Sequence, residues 1–336
     1  MAKLIKDGTI MADTLPSVSS FAAAVGKMEG EGPMADCFDY IAEDVTLGES
    51  SWEKSESKLQ QIAFSTALSK GGFSEKNIDV LFAGDLLNQC VSSSYGARDT
   101  EIPFMGLFGA CSTMAESLSL ASLFVDGGMA VNAAAVTSSH FCSAERQFRL
   151  PVNYGGQRTP TAQWTATAAG CAIVSPHAKP PYVKAVTIGK IKDMGVTDAN
   201  NMGAAMATAA YDTISRHLAN TNQNINSFDL ILTGDLGKVG SDILAELFLK
   251  DNVDISGKHN DCGLMLFDAE KQDVHAGGSG CGCSASVLCG YILQEMQQKK
   301  IKNVLFAATG ALMSPTIVQQ GESIPGISHA VQLCVE

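Results

Sequence analysis

The sequence has no apolar run approaching the roughly 18 residues that a membrane-spanning helix needs, so no spanning segment is predicted. Residues 1–18, MAKLIKDGTIMADTLPSV, lack a long apolar core, and no secretory leader is expected. Cysteines stand at positions 37, 90, 111, 142, 171, 262, 281, 283, 289 and 334 without paired C-x2-C spacings, which excludes the usual structural zinc sites. They read as reduced thiols of a cytosolic protein, chiefly small buried hydrophobes. Charge is scarce at 17%, and its balance is acidic, with a formal net charge of -12. There is no basic footprint for nucleic acid. An acidic surface also argues against direct adhesion to an anionic bilayer, so membrane association is expected only through partner proteins. What is present is 336 residues, 46% of them hydrophobic and many of them Gly, Ala and Ser. That is enough for one large globular unit or two ordinary domains, with tightly packed elements.

The chain repeats itself. Residues 79–86 read Asp-Val-Leu-Phe-Ala-Gly-Asp-Leu and residues 229–236 read Asp-Leu-Ile-Leu-Thr-Gly-Asp-Leu. Each is a short apolar run closed by Gly-Asp, as expected for a buried strand ending in a turn. A second block matches Ala110-Cys111-Ser112 to Gly282-Cys283-Ser284 and Val136-Thr137-Ser138 to Ala308-Thr309-Gly310, at an offset of 172. Two aligned blocks in one order indicate duplicated halves. We place them at 1–175 and 176–336. Each half predicts a helix (53–70 and 203–219), a strand, a glycine-rich turn, a second helix and a second strand. Parallel strands joined by helices give an α/β sheet covered on both faces.

The second helix of the first half is apolar or small all round, with Met114, Leu118, Ala121 and Val125 on one stripe, and should be buried. Cys111 opens it, after Phe108-Gly109-Ala110. A thiol at a helix start sits among unpaired amides and the positive end of the dipole, which is a nucleophile position; the same amides can hold an anion.

With Cys111 at the start of that helix, the duplicated halves resemble the thiolase and ketoacyl-synthase superfamily. More narrowly, the chain is similar to the stage V sporulation protein AD family of spore-forming bacteria. The similarity is carried by Ala83-Gly84-Asp85-Leu86-Leu87-Asn88-Gln89, Phe108–Thr113, Ala144-Glu145-Arg146-Gln147-Phe148-Arg149, Tyr154-Gly155-Gly156-Gln157, Ala276–Cys281, Ala308–Leu312 and Ser314-Pro315-Thr316. The resemblance implies a five-layered α-β-α-β-α core and a homodimer.

Condensing enzymes of this fold pair their Cys with His and Asn, or with two His, to stabilise enolate and oxyanion. Here the His place after the first strand of the second half reads Leu232-Thr233-Gly234-Asp235-Leu236, and the Asn place in Gly280-Cys281-Gly282-Cys283-Ser284 falls on Cys281. A carboxylate beside Cys111 would raise the thiol pKa and repel an oxyanion. We therefore expect a non-catalytic binding protein in which Cys111 is a vestigial nucleophile. The resemblance implies that it binds dipicolinic acid, free or as its calcium chelate. It would support uptake into the developing spore, on the cytoplasmic side of the spore inner membrane with membrane partners. No cofactor or protein-built metal site is expected.

Candidate ligand contacts come from each motif. Asp85 and Asn88 follow the first Gly-Asp strand, and Asp235 follows its mate. Cys111, Cys281 and Cys283 sit at the helix starts. Ser138 and Thr309 end the second strands, and His140 lies at the expected rim. Arg146 and Arg158, with Arg149, lie in the segment joining the halves. Two other readings stay open: an acyltransferase or ketosynthase that uses Cys111 with another base, and a structural dimeric scaffold at the spore membrane. The arginines can equally be helix-surface residues, and the aspartates turn caps.

Overall fold

A computed structural model describes residues 2–148 and 158–336. The first half contributes β1 (Ser17–Val25), α1 (Trp52–Gly71), β2 (Val80–Gly84), α2 (Val91–Ala97), β3 (Phe104–Leu107), α3 (Thr113–Asp126), β4 (Ala133–Ser139), α4 (Phe141–Phe148) and β5 (Ala168–Ser175). The second contributes β6 (Tyr182–Thr187), α5 (Met202–Thr221), β7 (Leu230–Thr233), α6 (Gly237–Lys250), β8 (His259–Asp261), α7 (Cys281–Val287), α8 (Leu293–Gln297), β9 (Asn303–Ala311) and β10 (Gly326–Cys334).

Among the described residues, the first half orders its strands β1-β5-β4-β2-β3 and the second β6-β10-β9-β7-β8. In each, the last three strands run parallel and the first two pair antiparallel. The sheets are therefore mixed rather than all-parallel. A single pair, Tyr182 with Ser17, joins them edge to edge. The pattern expected from Asp79–Leu86 and Asp229–Leu236 is thus present as one arrangement used twice.

The helix caps repeat it as well. Ser51 caps α1 and Asn201 caps α5, 150 residues apart. Gly72 and Asn222 close the same helices in the left-handed conformation, at φ 69° and 54°. Ser and Asn accept from orphan amides at a helix start, and Gly and Asn tolerate positive φ at its end. The role is kept where the residue has changed.

Three apolar cores separate the layers. α1 packs on the outer face of the first sheet through Leu59, Ala63 and Ala67. α5 packs on the outer face of the second through Met206, Ala210 and Ile214. Between the sheets, α3 touches strands of both, and α7 lies beside it. This is the five-layered α-β-α-β-α architecture. The stripe Met114, Leu118, Ala121 and Val125 lies in the central core.

One expectation needs correcting. Counting 172 residues makes Cys283 the mate of Cys111, but the backbone pairs Cys111 with Cys281. The Gly282 N–H bonds to Ser139 Oγ at 3.1 Å, while a Cβ on Gly310 would stand 3.1 Å from the Ser112 N. Ser139 and Gly310 occupy the same strand position, since Gly84 pairs with Thr137 and Thr233 with Ala307. The offset is therefore 170 at the helix start and 171 in the strand. A π-helical turn, Leu288–Ile292, between α7 and α8 takes up the extra residue. Such a turn adds one residue to an α-helix without ending it.

Candidate functional site

β2 and β7 deliver their Gly-Asp ends to the middle of the molecule, where α3 and α7 begin. Between these elements lies a cavity of about 260 Å³, lined by Leu86, Phe108, Ala110, Cys111, Ala144, Glu145, Phe148, Thr165, Met202, Ser279 and Ala311–Ser314. Ala110 holds φ 50°, a left-handed backbone that turns the chain sharply into Cys111. The Cys111 side chain forms part of the floor, packed with Leu86, Ala144 and Cys281.

Asp235 lies directly beneath it, fully buried. Thr309 Oγ1 donates to its Oδ1 at 2.8 Å, and the Gly280 N–H and Ser279 Oγ donate to Oδ2 at 2.9 and 3.1 Å. The Cys111 thiol faces the same carboxylate closely enough for each group to shift the other. Burial pushes the thiol pKa far up, and the Asp235 charge pushes it further. Burial also raises the Asp235 carboxyl, against the pull of its donors. The helix-start position thus yields no thiolate. Its pull is outweighed by desolvation and an adjacent anion. Cys281, the residue at the Asn place, donates its thiol to the Ser138 carbonyl at 3.0 Å and cannot serve as an amide donor.

The structure gathers Cys111, Asp235, Thr309 and Cys281 at one point, and scatters the other candidates. Cys283 is buried in the central core, away from the cavity lining. Asp85 caps a turn: Oδ1 accepts from Leu87 N at 2.8 Å, and Oδ2 from Ser93 N and Oγ at 2.8 and 2.6 Å. Asn88 is exposed, its N–H on Gln147. Ser138 is buried behind the floor, donating to Glu56. His140 is not at the rim. Its Nε2 lies 2.8 Å from the Val45 carbonyl, its Nδ1 accepts from Cys142 N, and burial lowers its pKa.

The two described arginines also lie elsewhere. Arg146 pairs with Glu53 over the Trp52 ring, and Arg158 lies 4.7 Å above Trp164 beside Asp273. Neither guanidinium reaches the cavity, because each finds an acid and an indole closer to hand. Arg149 and Tyr154–Gln157 lie outside the described residues. Among the described residues the lining holds no Lys, Arg or His, and no group of side chains could hold a metal.

Sequence reasoning missed Glu56. This fully buried carboxyl accepts from Ser138 Oγ at 3.1 Å and Ser143 Oγ at 2.9 Å. Burial, with the charge of Asp85, raises its pKa to about 8. A signal was present: Glu56 shares one helical face with Leu59, Gln60 and Ala63.

The profile of the family described as Stage V sporulation protein AD (SpoVAD) matches residues 6–334. The chain belongs to the stage V sporulation protein AD family. Stage V sporulation protein AD of Bacillus subtilis (strain 168) is 45% identical over 314 residues, which is 94% of this chain and 93% of that one. The family is thus a sporulation family on a thiolase-type fold, and solved structures agree on the fold. 3-Oxoacyl-[acyl-carrier-protein] synthase III from Aquifex aeolicus VF5 superposes with a TM-score of 0.59 at 13% identity, over 95% of this chain and 99% of that one. Human mitochondrial 3-ketoacyl-CoA thiolase gives 0.60 at 12% identity, over 99% and 100%. No described helix is long and apolar enough to cross a membrane.

Proposed function

We propose that this family member is a catalytically silent receptor for dipicolinic acid that supports its uptake into the spore. One observation carries the reading: where condensation needs imidazole beside the thiol, the buried Asp235 carboxylate stands close enough to Cys111 for its charge to raise the thiol pKa. A protonated thiol over a buried carboxylate neither attacks an acyl group nor tolerates an oxyanion. What is left is a small apolar slot. At about 260 Å³ it falls just below the range of drug-sized sites, so it suits one flat ring and excludes a long acyl chain.

The described lining holds no Lys, Arg or His, and the neutral calcium chelate, unlike the free dianion, needs no such partner. Membrane partners and a homodimer belong to the same proposal. The edge strand β3 exposes Phe104 and Met105 beside a backbone edge that no described strand pairs with, which suits pairing with a second copy.

Calorimetry with dipicolinate, with and without equimolar calcium, tests the reading. Saturable binding of the chelate is expected, abolished by Ala144→Leu, which fills the slot. Absence of binding in both forms would overturn it, as would a burst of Cys111 acylation by an acyl-CoA.

A further inference from the structure

We infer that Glu56 is a positioning residue that hangs the cavity wall α4 on α1, and that α4 keeps its place only while Glu56 carries a proton. This rests on the cavity being the ligand site.

The geometry is local. α4 supplies Ala144, Glu145 and Phe148 to the cavity. Its Ser143 Oγ lies 2.9 Å from Glu56 Oε2 and 3.0 Å from the His140 carbonyl. One hydroxyl has one proton. When Glu56 is protonated it donates to Ser143 Oγ, and Ser143 donates on to the His140 carbonyl at the start of α4. When Glu56 is ionised, Ser143 must turn its proton to the carboxylate, and the His140 carbonyl loses that donor. Ser138 Oγ, itself held by Gln60 Nε2 at 3.1 Å, can donate to Oε1 in either state.

The charged and titratable surroundings explain why the proton matters. Burial raises the Asp85 carboxyl, beyond β2, but two of its three donors are backbone N–H groups that cannot turn round and favour its charged form. Cys90, ahead of α2, and Cys281, on α7, are neutral thiols with raised pKa. His140, between β4 and α4, is pushed towards its neutral form. On α4 itself, Arg146 is engaged with Glu53 at the exposed end of α1, and Cys142 and Glu145 complete the set. No cation stands beside Glu56 among the described residues. Ionising it puts a second buried negative charge near Asp85, and displacing α4 relieves it by letting water reach the carboxylates.

The two tryptophans of the chain both touch α4. Phe141, its first residue, stacks on Trp164 at 3.7 Å, and Arg146 covers Trp52 at 5.3 Å. Tryptophan emission therefore reports the helix without any ligand. In the intact, ligand-free protein, emission should change in one step with a midpoint at about 8. Glu56→Gln, which keeps shape and can still donate to Ser143, should abolish the step. Asp85→Asn should move the midpoint down by at least one pH unit. Ser143→Ala should remove most of the amplitude.

If the wild type shows no step, or Glu56→Gln keeps it, the inference is wrong. Titrating calcium dipicolinate gives the second arm. Affinity should fall about fivefold between pH 8 and 9 in the wild type, as the competent fraction falls from about one half to about one eleventh, and stay flat in Glu56→Gln. A chelate that does not bind at any pH removes the proposed ligand, while the emission step still decides the role of Glu56.

Discussion

Replacing Asp235 with Asn should wake the Cys111 thiol. The carboxylate and the thiol are neighbours, and both are buried. A unit charge at about 4 Å in an effective dielectric of about 20 is worth about 4 kcal/mol. That corresponds to about three pKa units. Asn keeps the volume and one acceptor, so the charge is lost while burial remains. Thiolate nucleophilicity falls as its pKa falls, with a Brønsted coefficient of about 0.5, so about half the gain survives in rate. Alkylation by iodoacetamide at pH 7 should accelerate about 30-fold on this arithmetic. Peptide mass spectrometry can follow Cys111 against Cys37 and Cys142, the half-buried thiols of the same chain, as internal references. Wild-type Cys111 should label more slowly than either. A folded Asp235→Asn protein whose Cys111 reacts at the wild-type rate would refute the claim that Asp235 holds the thiol neutral.

Three further outcomes are expected. His217, bonded to Thr187 and Gln332, is held neutral by burial at a pKa of about 4. Its lowered pKa gives stability that is present above pH 6.5 and lost as pH falls to 4, about 3 kcal/mol in all, so denaturant midpoints should drop over that window and His217→Gln should flatten part of the fall. Gly282→Ala should cost at least about 2 kcal/mol in urea unfolding, because the new Cβ would meet the Ala168 carbonyl oxygen at 2.3 Å, with backbone that cannot yield. Met105→Glu, on the exposed edge strand, should leave the fold intact by circular dichroism and shift sedimentation from dimer to monomer; a wild type that sediments as a monomer removes the dimer proposal.

Much of the fold was legible because the chain states it twice. The Gly-Asp strand ends and the small-residue helix after Cys111 follow from local pattern alone. The pairing of Cys111 with Cys283 failed for a local reason too. Gly280-Cys281-Gly282-Cys283 offers two registers two residues apart, and sequence cannot weigh the hydrogen bond from Gly282 to Ser139 that selects one. The acidic replacement at Asp235 was readable from position, and the structure supplies its contact with the thiol. The arginines were not readable. Arg146 is decided by Glu53 and Trp52, and Arg158 by Asp273 and Trp164, partners that only folding brings near. Glu56 was hidden for the same reason, since its two hydroxyl donors lie more than 80 residues away in the chain.

The π turn at Leu288–Ile292 has a rotational meaning. An α-helix advances 100° per residue, so one inserted residue rephases everything before it against everything after it. Downstream of the turn, Leu293 and Met296 keep the face that the central core demands. Upstream, Cys281 is free to face Cys111 across the cavity floor. The two requirements are incompatible on one regular helix, and the turn acts as a joint between them. Deleting a single residue there would swing the Cys281 thiol around the helix axis by about a quarter turn, and would carry Cys283, Ala285 and Val287 out of the central core with it.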